Sequence, residues 1–205
     1  MRFVAATGNK GKLKEIKEIL ADFPLDVVSM GEAGIHDEID ETGKTFEENA
    51  VIKARYIAGL TNDIVIADDS GLEVDYLNGE PGIYSSRFAG EGASDEDKNR
   101  KLLRLLQGVP FEKRTGRFVC AVAVVFPDGR SFTVQGKCEG HIGEKPAGFN
   151  GFGYDPLFYV PGYEMTIAEM DTETKNSISH RGKALRMMVQ ELKNRNMAEF
   201  DFNRL

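Results

Sequence analysis

The chain has 205 residues, 41% hydrophobic and 29% charged, with a net charge of −7 at pH 7. That balance fits a globular protein of one large domain or two small lobes, and the acidity argues against nucleic acid or an anionic membrane as a non-specific partner. No stretch reaches the roughly 18 to 20 consecutive apolar residues of a spanning helix, and the opening MRFVAATGNK lacks a signal-peptide pattern, so a cytoplasmic location is expected.

Residues 3 to 7, FVAAT, read as a short strand that ends at the turn signal Gly8-Asn9. Leu13, Ile16, Ile19 and Leu20 then recur at helical spacing, with charged residues between them. LDVVSM, 25 to 30, is the next strand, and an acidic stretch leads to Asp40-Glu41-Thr42-Gly43. Thr45 with Glu48 three residues on is a capping box for a second helix running to about Gly59. IVIAD is a strand, GEPGIYSSRFAG a loop, and Ser94 caps a helix that ends at Gly108 and Pro110. Residues 117 to 126 and 130 to 137 flank Pro127-Asp128-Gly129 as a hairpin. GFNGFGYDP is a glycine-aromatic loop, LFYV a short strand, and 181 to 195 a closing helix. Strands alternate with helices and one hairpin interrupts, which predicts an α/β fold with a mixed sheet. Cys120 and Cys138 are expected to be reduced, half-buried thiols rather than a disulfide.

Five places along the chain carry candidate chemistry. Thr7-Gly8-Asn9-Lys10-Gly11-Lys12 joins a strand to a helix, where backbone N–H groups and the helix dipole suit a phosphate. Lys12 opposes the dipole of its own helix unless an anion lies between them; the alternative is a plain turn with a solvated lysine. The spacing is not that of a Walker A loop. On a helical wheel Ala50, Lys53 and Ile57 all fall within about 40° of Phe46, which puts Lys53 inside the apolar stripe with Asn49 at its edge. It either snorkels past a narrow core or directs a cation into a cleft.

The acidic set Asp40, Glu41, Asp68 and Asp69 offers the hard oxygen ligands of a magnesium ion bound to phosphates; the alternatives are a solvated loop and an Asp turn. Asp68 and Asp69 follow a strand-like run, so alternation sends them to opposite faces. An Asp turn fits one of the two, which would accept N–H groups or a nearby cation, and leaves the other for a ligand. In Phe152-Gly153-Tyr154-Asp155 the aromatic rings could stack on a base and Asp155 read its edge, although such loops are also structural corners. Lys175, His180 and Arg181 form a basic cluster suited to an anionic or polar ligand. Together these describe a site for a magnesium–nucleoside triphosphate.

TGNKGKLKEI, ETGKTFEENAVIKA, ADDSGLEVDYLNGEPGIYSSRFAG, GFGYDP and KNSISHRGKAL, in this order, resemble the inosine/xanthosine triphosphate pyrophosphatase family over nearly the whole chain. The resemblance implies that residues 1–205 are one domain that hydrolyses ITP, dITP or XTP to the monophosphate plus pyrophosphate, cleansing the nucleotide pool. It further implies a homodimer, with magnesium or manganese as cofactor, and a two-lobed, elongated mixed sheet flanked by helices with the active site between the lobes. By position, Thr7 to Lys12 look like the triphosphate loop and Lys53 an added catalytic cation. Asp69 looks like the general base and a metal ligand, Ser70 a substrate contact. Phe152 to Asp155, Lys175, His180 and Arg181 look like the nucleotide-recognition set, and a further metal ligand falls at Asp40 or Glu41. Alternatives are a related pyrophosphatase acting on other modified nucleotides and a non-catalytic nucleotide sensor. Residues 194–205 follow the last motif and carry none.

Overall fold

The apolar run at the start forms strand β1 (Arg2–Ala5), and the periodic segment after it forms helix α1 (Lys10–Leu20), capped by the Asn9 side chain on the Lys12 N–H. The structure is a computed structural model and describes residues 2–195, so that residues 196–205 of the C-terminal segment lie outside it. Beyond α1 come β2 (Asp26–Ser29), α2 (Phe46–Ala58), β3 (Ile64–Val74) and α3 (Asp95–Leu105). Strands β4 (Thr115–Val125) and β5 (Ser131–Ile142) follow, then β6 (Phe158–Val160), β7 (Met165–Thr166), α4 (Thr172–Ile178) and α5 (His180–Asn194).

The strands form one mixed sheet in the order β2-β1-β3-β4-β5-β6-β7. β1 runs parallel to β2 and β3, whereas β6 is antiparallel to β5 and β7. The fold is therefore α/β, as the alternation of periods predicts. The expected hairpin is present, with the Phe126 N–H donating to the Arg130 carbonyl.

Two compact units share β3, β4 and β5 along the chain. One takes the described residues of Met1–Asp69, Cys120–Gly136 and His180–Leu205; the other takes Ser70–Val119 and Lys137–Ser179. In the first, Ile16 and Leu20 of α1 and Leu185, Met188 and Leu192 of α5 bury against Ile64 and Ile66 of β3 and Val122 and Val124 of β4. In the second, Leu72, Val74, Leu102, Leu106, Phe118, Leu157 and Phe158 form the core. Gly136 of β5 lets α5 approach closely, because a Cβ there would overlap the His180 carbonyl and the Ala184 N–H.

Two expectations need amending. The paired carboxylates do not end a strand: β3 continues through Ser70 and Gly71 to Val74. Leu72 and Val74 are fully buried and carry the extended chain onward, so the small polar residues mark no turn. At the start of α2 the Thr45 hydroxyl accepts the Glu48 N–H as expected, but the Glu48 carboxylate accepts from the Lys44 N–H at 2.6 Å. Cys120 and Cys138 are both free thiols, as expected, but they are buried rather than half-buried, since both lie on central strands within the two cores.

Candidate functional site

Alternation along β3 settles where Asp68 and Asp69 point. Asp68 shares the face of Ile64 and Ile66, which is covered by α1 and α5, and its partners come from those helices. The Arg181 guanidinium donates through Nε and Nη2 to Asp68 Oδ2 at 3.2 and 3.1 Å, and through Nη1 to Glu15. Lys12 Nζ lies 3.3 Å from the same Asp68 oxygen. Asp69 is on the opposite face. There Asn49 Nδ2 donates to its Oδ2 at 3.1 Å, and Lys53 Nζ lies 3.6 Å from its Oδ1. Lys53 also donates to Glu41 at 2.5 Å.

These surroundings push the two neighbouring carboxylates in opposite directions. Burial raises the Asp68 pKa, but Lys12, Arg181 and Lys53 outweigh it and hold the group well below the usual carboxylate range. Burial also raises Asp69, and here Lys53 and Lys12 only partly offset it, so its pKa stays above the ordinary value. Desolvation opposes the Lys53 ammonium, yet Asp69, Asp68 and Glu41 prevail and raise its pKa. Two adjacent carboxylates are thus shifted in opposite directions by their surroundings, a pattern that also occurs in acid–base sites. Behind them the Cys120 thiol, 3.9 Å from Asp68, is pushed up to about 12 by burial and the adjacent charge, and so stays protonated.

Asn49 joins the Asp69 side to the loop before α2. Its Oδ1 accepts the Gly43 N–H at 2.8 Å while its Nδ2 holds Asp69. The approach is close enough that a Cβ on Gly43 would sit 2.6 Å from Asn49 Oδ1 and 2.9 Å from the Asn49 N. Glycine is required at position 43 for this reason. Glu41 is thereby brought to Lys53, whereas Asp40, one residue earlier, is exposed. Of the α1 loop, Thr7 is half-buried and its Oγ1 accepts the Asn9 N–H, while Gly8, Asn9 and Lys10 are exposed; Gly11 at the helix start is half-buried.

A second cluster lies wholly in the other unit. Lys175 of α4, buried, donates to Asp155 Oδ2 at 2.6 Å, and its ammonium lies 5.0 Å from the centre of the half-buried Phe152 ring. The Phe152 N–H also donates to Asp155 Oδ2, at 2.9 Å, and the Tyr154 hydroxyl donates to the Ser85 carbonyl. Gly151, at φ 78°, backs directly onto this pair, since a Cβ there would run into the Asp155 carboxylate. Ser70 is half-buried, and His180 is buried at the first position of α5.

Among the described residues no three His, Cys, Asp or Glu side chains are arranged to hold a metal ion. Glu41 and Asp69 nevertheless suit a divalent cation in donor chemistry: two hard carboxylates already converge on one positive charge, the Lys53 ammonium. Magnesium bound with phosphates usually takes only one or two protein carboxylates, the rest coming from water and substrate.

Glu15, Asn49, Asp95 and Asn99 carry contacts in these clusters that motif reasoning left unassigned. The first had a signal: Glu15 lies four residues before Ile19 and so falls on the apolar face of α1.

An α/β protein that converges lysines on tuned carboxylates beside a helix start, and separately holds an aromatic loop by an Asp–Lys pair, has the chemistry of a nucleotide-handling protein. Residues 3–191 match the model of the Ham1 family. The chain belongs to this family. It is 54% identical over 192 residues to a dITP/XTP pyrophosphatase of Desulforamulus reducens, covering 94% of this chain and 96% of that protein. A dITP/XTP pyrophosphatase of Clostridium perfringens is 50% identical over 198 residues, covering 94% and 97% respectively. The Ham1 protein of Staphylococcus aureus superimposes with a TM-score of 0.85 at 42% identity, over 96% of this chain and all of that one.

Proposed function

We infer that this chain is a nucleoside-triphosphate pyrophosphatase that hydrolyses deaminated purine nucleoside triphosphates, the inosine and xanthosine forms and their deoxy counterparts, to the monophosphate and pyrophosphate. The observation that carries the mechanism is the setting of Asp69, a buried carboxylate of raised pKa fixed between Asn49 and Lys53. A carboxylate whose pKa is raised toward neutrality is a better proton acceptor than an ordinary one.

Asp69 takes a proton from water as the water oxygen bonds to the α-phosphorus. The bond from that phosphorus to the bridging oxygen of the β-phosphate breaks, and pyrophosphate leaves with the electron pair. Lys12 and Lys53 neutralise the phosphate oxygens, where charge builds up on the leaving group. Magnesium, or manganese, held by Glu41 and Asp69 would supply further charge neutralisation. Asp40, exposed, is left out of that ligand set. Thr7 to Lys12 cradle the triphosphate, Ser70 contacts substrate, and Arg181, committed to Asp68 and Glu15, acts by fixing those carboxylates.

Phe152 stacks on the base, and the Asp155–Lys175 pair, with His180, reads its edge. An ammonium accommodates a carbonyl at the purine six-position, whereas the amino group of adenine would present donor to donor. Mismatched donors of this kind discriminate by factors of up to about 10⁴. The reaction takes place in the cytoplasm in a homodimer, with residues 1–205 acting as one catalytic domain.

The test is incubation with ITP, XTP, ATP and GTP in the presence of magnesium. Release of pyrophosphate and monophosphate, fastest with ITP or XTP, is the expected result. Release of orthophosphate would redirect the assignment to a phosphatase, and binding without product to a sensor. The same assay with Asp69→Asn is expected to show turnover reduced at least about 10³-fold, within the range for loss of a catalytic base combined with a perturbed site.

A further inference from the structure

We infer that Asp95 and Asn99 on helix α3 are positioning residues for base selectivity, holding Gly153 so that Phe152 and Asp155 on either side of it are fixed. This rests on the assignment of Phe152–Asp155 to the base. Asp95 Oδ2 accepts the Gly153 N–H at 2.6 Å, and Asn99 Nδ2 donates to the Gly153 carbonyl at 2.9 Å. Both backbone polar groups of one glycine are therefore taken by two side chains four residues apart, on one face of one helix.

The capping of α3 does not need either residue. Ser94 and Asp97 form its capping box, with the Ser94 hydroxyl accepting the Asp97 N–H and the Asp97 carboxylate accepting the Ser94 N–H. Asn is a poor residue for a buried helix interior unless its amide is used, and Asn99 is buried. Its use here is specific, because the group that faces the Gly153 carbonyl must be a donor.

Apolar packing anchors one side of the loop, where Tyr154 is buried in one core with Leu102 of α3 and Leu106 just after it, but the contact opens toward the helix start. A cavity of about 490 Å³ lies between loop and helix, bounded by Asp95, Asn99 and Leu103 on the helix side and by Pro146, Phe149 and Phe152 on the loop side. Phe149 projects fully into solvent. On this open side the two hydrogen bonds tie Gly153 to α3. Gly153 stands at φ 64°, between Phe152, whose N–H donates to Asp155, and Asp155, which holds Lys175. Any displacement of Gly153 is passed to the ring that stacks and to the carboxylate that orients the ammonium.

Isosteric variants separate positioning from bulk stability. Asn99→Asp keeps the shape but turns an oxygen toward a carbonyl, whereas Asp95→Asn keeps an acceptor for the Gly153 N–H. With ITP, Asn99→Asp is expected to raise KM about tenfold while kcat stays within about threefold, and to lower the ITP-over-ATP ratio of kcat/KM about tenfold. Asp95→Asn should retain wild-type values, and Asp95→Ala should follow Asn99→Asp. Because Asp95 is exposed at the helix start, its alanine variant provides the test should Asn99→Asp fail to fold. A uniform loss of kcat for all nucleotides with the selectivity ratio unchanged would overturn the inference. Phe152→Ala and Asp155→Asn serve as controls on the underlying assignment. If neither changes the ratio, the base-binding assignment itself falls; if they do and the α3 variants do not, only the positioning role falls.

Discussion

Replacing Arg181 with methionine tests whether the guanidinium serves the fold or the substrate. Arg181 is 1% exposed, Asp68 1% and Glu15 6%, so two buried carboxylates converge on one buried cation. The substitution preserves most of the side-chain volume but removes the bonds from Nε and Nη2 to Asp68 and from Nη1 to Glu15. Breaking a buried ion pair from one side costs about 3–5 kcal/mol, because the remaining charge stays in a poorly solvated site. Lys12 still faces Asp68 at 3.3 Å, which places the expected loss at the lower end, about 3–4 kcal/mol. For a chain of this size that is a fall of roughly 10 °C in Tm. Reversible urea unfolding measures it. Adding Glu15→Gln to Arg181→Met should recover part of the loss, since Asp68 keeps Lys12 as a counter-charge while the buried charge at position 15 is removed. A single variant within about 1 kcal/mol of wild type but with sharply raised KM would refute the reasoning. Arg181 would then be a substrate ligand.

Three further outcomes follow from the same contacts. Gly43→Ala places a methyl group 2.6 Å from Asn49 Oδ1 and should lower kcat/KM about 10- to 100-fold by shifting Asn49 and Asp69, read by steady-state kinetics with ITP. Lys53→Gln removes the ammonium between Glu41 and Asp69. Calorimetry without nucleotide should show magnesium or manganese binding about tenfold tighter, since a competing like charge is gone, while turnover falls. Glu32 is pulled down to about 2 by the Ser29 N–H, Lys17 and the Ser29 hydroxyl. A depressed folded pKa contributes stability above the unfolded value, about 4.3, that is lost as pH falls toward 2. Glu32→Gln should therefore flatten the stability-versus-pH curve across that window, with unchanged unfolding midpoints indicating that the contacts do not persist in solution.

Much of this was legible from pattern alone. The periods of Leu13–Leu20 and Phe46–Ile57 specify α1 and α2, and alternation alone puts Asp68 and Asp69 on opposite faces. Lys53 was visible as a cation within an apolar stripe, and it does reach two carboxylates. What pattern missed depends on long-range pairing. The partners of Asp68 are Arg181, 113 residues away, and Lys12; a basic cluster in sequence looks the same whether it faces a ligand or a buried acid. The extension of β3 to Val74 was hidden because Ser70-Gly71 resembles a turn, and only burial of Leu72 and Val74 keeps the chain extended. Asn49, Asp95 and Asn99 act through hydrogen bonds to backbone or to another side chain, and no motif of spacing marks them.

The claim that Asp69 directs water to the α-phosphorus is tested most directly by hydrolysing dITP in water enriched in oxygen-18. Mass spectrometry of both products then locates the label. One labelled oxygen in the monophosphate and none in the pyrophosphate is the predicted result; label in the pyrophosphate, or in orthophosphate, would contradict the mechanism.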